Sequence, residues 1–322
     1  MSFVSFVYQQ LFTRLPASHA DYSGQTIIVT GSNTGLGKEA ARTFTRLNAE
    51  KVIIAVRSIS KGDAAKREIE QSTGRQGVLE VWPLDLASYE STIQFAERAK
   101  KLQRLDILLE NAGVAKTGWE VVEKDEMNMT VNVVSTLLLA VLLLPKLRES
   151  GSKFNTTPHL TIVTTEVHGF AKFEERKADN IFEKLSDRAA YDVQDHRYPV
   201  SKLVQLFAAR ELATRSKSAG KADVIINMPN PGLCQSELSR EGGWSLVIMK
   251  FLLARSTEYG SRTLVSAVES GPGTHGQYLS NCQVHECAPL VSGAEGPILQ
   301  ARIWTELSAK LENIRPGIMA NI

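Results

Sequence analysis

The sequence predicts an α/β fold, a single domain built on a doubly wound, mainly parallel sheet. Three observations carry this prediction. Short apolar runs rich in β-branched residues recur along the chain, as in TIIVT at residues 26–30 and KVIIAV at residues 51–56. Segments of helical periodicity separate these runs, and a glycine-rich turn joins the first run to the first helix. Continuous apolar strands are typical of a sheet covered on both faces, and the alternation favours right-handed crossovers between parallel strands.

Each element follows from this alternation in order. The apolar runs predict strands at residues 26–30, 51–56, 78–84, 105–109, 159–165, 223–228 and 276–279. Helical periodicity predicts helices at residues 38–47, 61–71, 88–102, 121–147 and 198–218. No internal repeat, low-complexity tract or linker interrupts the pattern, so residues 25–322 are expected to form one domain.

Three segments stand outside the alternation. Residues 1–24 form an extension whose first 15 residues are apolar and aromatic. An amphipathic helix that docks on the domain is expected there, with weak membrane association as the alternative. Residues 166–196 are charged and indicate an inserted loop. The apolar cluster within residues 233–256 is typical of a movable lid over an apolar ligand.

The bulk composition argues against several classes of protein. A formal net charge of +2 gives no reason to expect nucleic acid as a partner. The longest apolar run, residues 136–145, is too short to span a bilayer, so no firm membrane anchor is expected. Three cysteines are too few for a disulfide framework and match no zinc-binding spacing, which favours a reducing, cytoplasmic location: Cys234, Cys282 and Cys287.

The glycine-rich turn carries the clearest binding signal. Its spacing, Gly-x-x-x-Gly-x-Gly, lets the backbone approach a pyrophosphate, while the N-terminus of the following helix supplies amide donors and a favourable dipole. A plain tight turn is the alternative. Between a strand and a helix, the turn predicts a dinucleotide site formed by Gly31, Ser32, Asn33, Thr34, Gly35, Leu36 and Gly37.

The residues after the second strand indicate which dinucleotide binds. In such sheets this strand end lies beside the adenine ribose. An acidic side chain there accepts a hydrogen bond from the 2′-hydroxyl, whereas an arginine accommodates a 2′-phosphate. Arg57 occupies the position and Lys61 follows it, whereas no Asp or Glu does. The sequence therefore predicts NADP(H). Lys38 is a further source of charge, and a solvated basic face is the alternative.

Two later strand ends extend the predicted cofactor site. Asp85, followed by Leu86, can accept a hydrogen bond from the adenine amino group, or else cap the helix near Ser88. Small residues after the fourth strand let the backbone lie against the cofactor, or simply form a turn, at Asn111, Ala112 and Gly113.

Tyr198 and Lys202 stand one helical turn apart and supply a candidate proton donor. A phenol, with an ordinary pKa of about 10, is a poor acid near neutral pH. An ammonium group on the same helix face favours the phenolate and is expected to lower the pKa of Tyr198. Such a pair alone is weak evidence for a catalytic site. Here it occurs in the same domain as the upstream glycine-rich turn, and the combination is strong evidence.

In combination, these motifs resemble those of the short-chain dehydrogenase/reductase family. The glycine turn, Asn-Ala-Gly, an in-helix Asn132, Tyr-x-x-x-Lys and Pro-Gly at residues 231–232 occur in family order. The resemblance implies a Rossmann-type fold and an oxidoreductase. The glycine turn and the Ala-Val-Arg-Ser stretch are similar to the retinol-dehydrogenase-like branch. The Thr-Thr-Glu-Val-His stretch and the insertion are similar to fungal members that serve secondary metabolism.

The resemblance also implies a role for each matching residue. Tyr198 would give its proton to a carbonyl oxygen as hydride arrives from the nicotinamide, while Lys202 would lower the pKa of Tyr198 and hold the nicotinamide ribose. Asn132 would anchor a water in the proton path. The nicotinamide pocket would be lined by Pro231, Gly232, Leu233 and Ser236.

One position departs from the family pattern. The family places a serine after the fifth strand to hydrogen-bond the substrate carbonyl, whereas this chain offers Thr164 and Thr165, of which Thr165 matches the pattern better. Threonine keeps the hydroxyl, but its methyl group narrows the site and restricts χ1. A threonine satisfied by the backbone is the alternative.

Other polar residues near the strand ends are expected to be structural. His168 and His196 flank the insertion and are interpreted as solvated loop histidines rather than proton relays. Glu110 and Glu166 are expected to be hydrogen-bonded near strand ends rather than to act as general acids.

The leading hypothesis is NADPH-dependent reduction of a ketone or aldehyde, or the reverse alcohol oxidation, on a bulky, mostly apolar substrate such as a polyketide-type metabolite. Non-redox cyclisation or isomerisation on the same scaffold, or a silent NADP-binding partner, are the alternatives. The resemblance also implies a homodimer or homotetramer through the helices at residues 121–147 and 198–218, although their apolar surface would equally suit the core.

Overall fold

The sheet has the predicted doubly wound character. The computed structural model describes residues 3–191, 197–221, 223–235 and 253–322, and within these ranges eight strands form one sheet. The strands are β1 Thr26–Thr30, β2 Lys51–Val56, β3 Leu79–Pro83, β4 Ile107–Glu110, β5 His159–Ile162, β6 Ile225–Asn230, β7 Tyr278–Ser280 and β8 Gln283–Val284. Their order across the sheet is β8-β7-β6-β5-β4-β1-β2-β3, and β8 alone among them pairs antiparallel.

Helices cover both faces of this sheet. They are α1 Phe3–Phe12, α2 Gly35–Arg46, α3 Ile59–Thr73, α4 Tyr89–Ala99, α5 Met127–Met129, α6 Thr136–Phe154, α7 Ile181–Leu185, α8 Arg197–Ser218, α9 Thr257–Val268, α10 Pro289–Ser292 and α11 Gly296–Ile314. A π-helical turn, Thr130–Ser135, joins α5 to α6.

The strand register explains both core layers. In β1, Ile28 lies between Ile53 of β2 and Leu108 of β4 and faces the layer that contains α6 and α8. Its neighbours Ile27 and Val29 face the opposite layer, with α2 and α9, because side chains alternate along a strand. The chain leaves the sheet edge after β3 and returns beside β1 as β4. The carboxyl ends of β1 and β4 therefore flank the topological switch point, where ligands bind in open α/β sheets.

Several elements differ from the prediction, and the helices α9 and α11 were not predicted at all. The helix expected at residues 121–147 is preceded by a short hairpin, Val121–Val122 paired with Asp125–Glu126, and it continues to Phe154. The strand expected at residues 159–165 stops at Ile162, because the chain then turns into a 3₁₀ helix, Glu166–Phe170. The antiparallel strand β8 was not predicted, because its two residues are too few to form a recognisable pattern.

The inserted segment is more ordered than the predicted loop. Its described part, which ends at residue 191, contains α7 and three 3₁₀ turns, Glu166–Phe170, Glu174–Lys177 and Arg188–Ala190. It buries apolar side chains and contacts α11. Glu175 forms an ion pair with the buried Arg197 at the start of α8. The insertion therefore supports the helix that carries Tyr198.

The apolar run of α6 belongs to the core. Each side chain of residues 137–144 is at most 1% exposed. The C-terminal helix α11 packs on α8, and the last turn, Ile318–Asn321, packs on α6. The helix spanning Met127–Phe154 is long and apolar enough to cross a membrane, but 94% of its most apolar window is buried, as in a core helix. The C-terminal segment therefore covers part of the surface of α6 and α8.

Candidate active site

The glycine turn and the loop after β4 pack against each other and are hydrogen-bonded at the topological switch point. Gly31 has a φ of +64°, and a Cβ there would lie 2.8 Å from the Cα of Ala112. A Cβ at Gly37 would lie 2.4 Å from the Nδ2 of Asn111. The Asn111 amide donates to the carbonyls of Thr30 and Gly31, at 3.0 and 3.2 Å. Asn111 therefore fixes the shape of the turn.

The N-terminus of α2 is open to an anion. Its N-cap residue, Thr34, has extended backbone and makes no capping hydrogen bond with its side chain, and no acid lies in the first turn. The first amides of a helix need acceptors, and the helix dipole favours negative charge there. Ser32 is turned inward, because its hydroxyl donates to the carbonyl of Val29 at 2.7 Å. The cradle of Gly35, Leu36 and Gly37 fits a phosphate group.

Two basic side chains are free near the end of β2. Arg57 and Lys61 are both exposed, and no ion pair joins either of them to an acid in the described part of the chain. Lys38, the further candidate, is instead paired with Glu68. Arg57 and Lys61 therefore remain the cations available for a phosphate on the adenosine ribose.

Asp85 was predicted to bind the adenine amino group, but one of its carboxylate oxygens already accepts a hydrogen bond within the protein. Its Oδ1 accepts from the amide of Ala87 at 3.0 Å, while Ser88 is the residue that caps α4. Asp85 thus forms a local turn and keeps its second carboxylate oxygen for a ligand. Leu86 is buried beside it.

Lys202 is buried at the centre of a polar network. Its Nζ donates to the carbonyl of Val163 at 2.9 Å and to the Oε1 of Gln205 at 3.0 Å. The Nε2 of Gln205 in turn donates to the carbonyl of Asn132 at 2.6 Å. The Asn132 side chain binds the backbone of Val114 and the hydroxyl of Ser201. Gln205, which the sequence analysis overlooked, thus bridges Asn132 and Lys202.

The π-helical turn positions Asn132. It lies within Thr130–Ser135, where the widened turn replaces the regular helical spacing between α5 and α6. Such bulges are frequent at functional sites. The Asn132 Oδ1 would lie 3.1 Å from a Cβ at Gly113, and the Lys202 Nζ 3.7 Å from it. A side chain at Gly113 would crowd Asn132 but would make only an ordinary contact with Lys202, so the loop after β4 lies close to both residues.

The pKa of Tyr198 moves in the direction opposite to the expectation. Burial raises the pKa of Tyr198 above its ordinary value, and no lowering by Lys202 offsets this. The reason lies in Lys202 itself, because burial lowers the pKa of its ammonium to about 7. The field of Glu110 opposes that change. In the cofactor-free protein the lysine charge is thus only partly present near neutral pH, and its nearest partners are not Tyr198.

Thr165 stands just beyond β5 as the N-cap of the following 3₁₀ helix. Its hydroxyl accepts from the amide of Val167 at 3.3 Å, a long hydrogen bond, and the residue is partly exposed. Thr164 is buried, and its hydroxyl has no hydrogen-bond partner among the described residues. Of the two threonines, Thr165 is the more exposed.

The loop after β6 is held by side chains from distant parts of the chain. Gly232 has a φ of +75°, and its amide donates to the Asn230 side chain at 3.0 Å. Gln10 of α1 binds both backbone groups of Leu233. The buried Arg255 donates to the carbonyl of Pro231 at 3.3 Å. Ser236 and most of the predicted lid lie outside the described residues.

Arg255 ties three segments together. Its Nη2 donates to the carbonyl of Gln9 and to the Oδ1 of Asn281, both at 2.8 Å. Its backbone pairs with Leu233 and Gln235, so the two ends of the predicted lid are bonded to each other. No local sequence pattern marks Gln10 or Arg255, because the partners of their side chains lie 24 or more residues away along the chain.

His168 and Glu110 differ from the expectation. His168 is buried rather than solvated; its Nδ1 lies 2.6 Å from the carbonyl of Thr165, and its Nε2 accepts from the amide of Ala288 at 3.1 Å. Burial lowers its pKa. Glu110 is buried, and neither of its oxygens has a hydrogen-bond partner among the described residues, contrary to the prediction. Burial also raises the pKa of Glu166. His196 lies outside the described residues.

Comparison with known proteins places the chain among relatives of this architecture. A family model described as short chain dehydrogenase matches residues 25–157. The short chain dehydrogenase/reductase dmxR8 of Cryptosporiopsis sp. is 46% identical, over 99% of this chain and 100% of the relative. The short-chain dehydrogenase anuD of Penicillium roqueforti is 40% identical, over 99% of this chain and 85% of the relative.

Solved structures show the same fold at lower identity. A short chain dehydrogenase from Pseudomonas syringae superposes with a TM-score of 0.62 and 22% identity, covering 83% of this chain and 98% of that one. Another from Shigella flexneri, solved in complex with NADP, gives a TM-score of 0.58 and 21% identity, covering 82% and 99%. With a 46% identical relative that spans its whole length, the chain belongs to the short-chain dehydrogenase/reductase family.

Proposed function

We propose that this protein is an NADP(H)-dependent dehydrogenase that reduces a ketone or aldehyde, or oxidises the corresponding alcohol, on a bulky and mostly apolar substrate. The observation that carries the proposal is the position of Tyr198 and Lys202. The loop after β4 lies against both motifs, because Ala112 is close to Gly31 of the glycine turn and Gly113 is close to the Lys202 Nζ. The phosphate cradle and the helix that carries the phenol of Tyr198 are thus joined through one loop, which supports a shared site.

The choice of NADP(H) rests on the end of β2. Arg57 and Lys61 are exposed there, and no acid occupies the position that would read a ribose 2′-hydroxyl. Among the structures of similar fold, those from Shigella flexneri and of RhlG from Pseudomonas aeruginosa were solved with NADP. These observations support the phosphorylated dinucleotide.

In the proposed reaction, the bound dinucleotide supplies or accepts the hydride. Tyr198 donates its hydroxyl proton to the carbonyl oxygen, and Thr165 holds that oxygen with its own hydroxyl. Lys202, when charged, stabilises the phenolate that remains on Tyr198. Pro231, Gly232 and Leu233 form the wall that orients the reacting carbon.

The proposed substrate class rests on the apolar sequence of residues 244–253 and on the relatives. The sequence of residues 244–253 is almost entirely apolar, which suits an apolar substrate. The relatives dmxR8, anuD and atnD come from the fungi Cryptosporiopsis sp., Penicillium roqueforti and Emericella nidulans. We infer a fungal enzyme of secondary metabolism that acts in the cytoplasm, with a polyketide-type ketone as its substrate.

The direct test follows absorbance at the nicotinamide band. Purified protein is mixed with NADPH and a panel of aromatic and aliphatic ketones, and in the reverse direction with NADP⁺ and the alcohols. Oxidation of NADPH that depends on one or more of the ketones is expected. Conversion of a substrate with no change in NADPH would favour the non-redox alternative, and no conversion across the panel would count against the proposal.

A further inference from the structure

The carboxyl group of Glu110 is a buried titratable group that the proposed mechanism does not use. Glu110 is the last residue of β4 and is only 3% exposed. Neither of its oxygens has a hydrogen-bond partner in the described part of the chain. An unpaired buried carboxyl costs stability, so a protein retains one where it serves a purpose or is held neutral.

The strand geometry aims this carboxyl at the layer of α8. Along β4, Leu108 faces the core layer of α6 and α8, while Ile107 and Leu109 face the other layer. Because side chains alternate, Glu110 points to the same side as Leu108. One residue, Val163, lies between the backbone of Glu110 and Lys202: its amide donates to the backbone carbonyl of Glu110, and its carbonyl accepts from the Lys202 Nζ, each at 2.9 Å.

Few other charges act at this point. Lys202 is the charged group that lowers the pKa of the Glu110 carboxyl, and Glu110 in turn raises the pKa of Lys202. Tyr198 is the other titratable residue on this part of α8. The neighbouring ends of β1 and β5 and the π-helical turn contribute neutral residues only, such as Thr30, Thr164 and Asn132.

We propose that Glu110 is a positioning residue that acts through Lys202: its carboxylate keeps the lysine protonated while the lysine serves Tyr198. The inference rests on the proposed dehydrogenase function. Burial moves the pKa values of the two groups toward each other, since it raises the pKa of Glu110 well above its ordinary value and lowers the pKa of Lys202 to about 7. Two interacting groups of this kind titrate as a pair, and removal of either changes the charge of the other.

The sign of the effect is fixed by Coulomb attraction. A carboxylate near an ammonium group favours its charged form and raises the lysine pKa. Replacing Glu110 by glutamine keeps the shape but removes the charge, so the pKa of Lys202 falls further. The charged lysine is then lost at lower pH, and ketone reduction should decline on the alkaline side at lower pH than in the wild type.

The test measures Lys202 directly, without cofactor. Carbon-13 labelled lysine is followed by NMR during a pH titration of the wild type, Glu110→Gln and Glu110→Asp, with the Lys202 signal assigned from Lys202→Arg. In Glu110→Gln the Lys202 midpoint should fall by about one pH unit. Glu110→Asp, which retains a carboxylate, should restore most of the difference. The control Glu70→Gln, a buried glutamate on α3, should leave the midpoint unchanged.

The pH profile of NADPH-dependent reduction gives a second readout. The alkaline limb of kcat should move with the Lys202 midpoint in Glu110→Gln and remain in place in Glu70→Gln. Equal midpoints in the wild type and Glu110→Gln would overturn the inference. If Glu110→Gln does not fold, wild-type protein labelled at the glutamate carboxyl and lysine ε carbons decides the matter: shared midpoints support the pair, and independent midpoints refute it. A wild type without turnover would refute the proposed function alone, because the cofactor-free titration still reports on the pair.

Discussion

The dinucleotide half of the cleft and the substrate half are held together in different ways. Around β1 and β4, hydrogen bonds of the backbone and of short side chains hold the loops together. For example, the Thr30 hydroxyl accepts from the amides of Asn111 and Ala112. Beyond β6, long side chains hold the loop that contains Leu233. Gln10 binds the amide of Leu233, and Arg255 donates to the carbonyl of Pro231. We expect the first half to be rigid before any ligand binds and the second to be more mobile, because its side-chain contacts can be exchanged.

The largest expected effect is on the rate of the catalytic step and leaves cofactor binding nearly unchanged. Tyr198→Phe removes the phenolic proton but leaves the glycine turn and Arg57 intact. We expect kcat to fall by about 10²–10⁴-fold, the usual contribution of a general acid, with the NADPH affinity nearly unchanged. Stopped-flow absorbance and NADPH fluorescence titration measure the two quantities. Tyr8→Phe, at an exposed hydroxyl of α1, is the matched control. Parallel loss of both quantities would contradict the separation.

The second effect tests the rigidity of the dinucleotide half. In Gly37→Ala the new Cβ would meet the Asn111 side chain at 2.4 Å, with the carbonyl of Gly31 at 2.7 Å. Because neither neighbour can move without opening the turn, we expect a loss of about 1–3 kcal/mol in the free energy of unfolding, together with weaker NADPH binding. Urea denaturation and fluorescence titration measure this. Gly118→Ala, which has open space around it, should behave as the wild type.

The third effect tests the substrate half. Arg255→Gln leaves the carbonyls of Pro231 and Gln9 and the Asn281 side chain without their buried donor. We expect kcat/KM for the ketone to fall roughly tenfold, as a hydrogen bond loss of about 1–3 kcal/mol predicts, while the Kd of NADPH changes little. Arg215→Gln, at an exposed ion pair of α8, serves as the control. A larger effect on NADPH binding than on the ketone would show that the two halves are not independent.

The smallest effect concerns cofactor choice. Arg57→Ala removes one exposed cation at the end of β2. We expect NADPH to bind roughly tenfold more weakly, since one charge-assisted contact to a phosphate is lost, while NADH binding stays the same. Arg67→Ala, an exposed arginine on α3, is the control. Equal changes for both dinucleotides would place the 2′-phosphate away from Arg57.

The same contrast explains what the sequence could predict. The strands β1–β7, five of the helices and the family followed from local patterns, since periodicity, glycine spacing and Tyr-x-x-x-Lys are each contained in a few neighbouring residues. The helices α9 and α11 were not predicted. Gln10, Gln205 and Arg255 carried no such pattern, because an isolated polar residue acquires a role only when the fold brings its partner near. Glu110 was predicted to be hydrogen-bonded, and nothing in the sequence showed that its surroundings would offer no donor.

The C-terminal helix has a consequence for how the enzyme should behave in dilute solution. Since α11 and the final turn cover α8 and α6 from the same chain, the helix that bears Tyr198 needs no second subunit to stay in place. Turnover per molecule should then remain constant from micromolar down to nanomolar protein. A progressive decline on dilution would mean that a neighbouring copy completes the working enzyme after all.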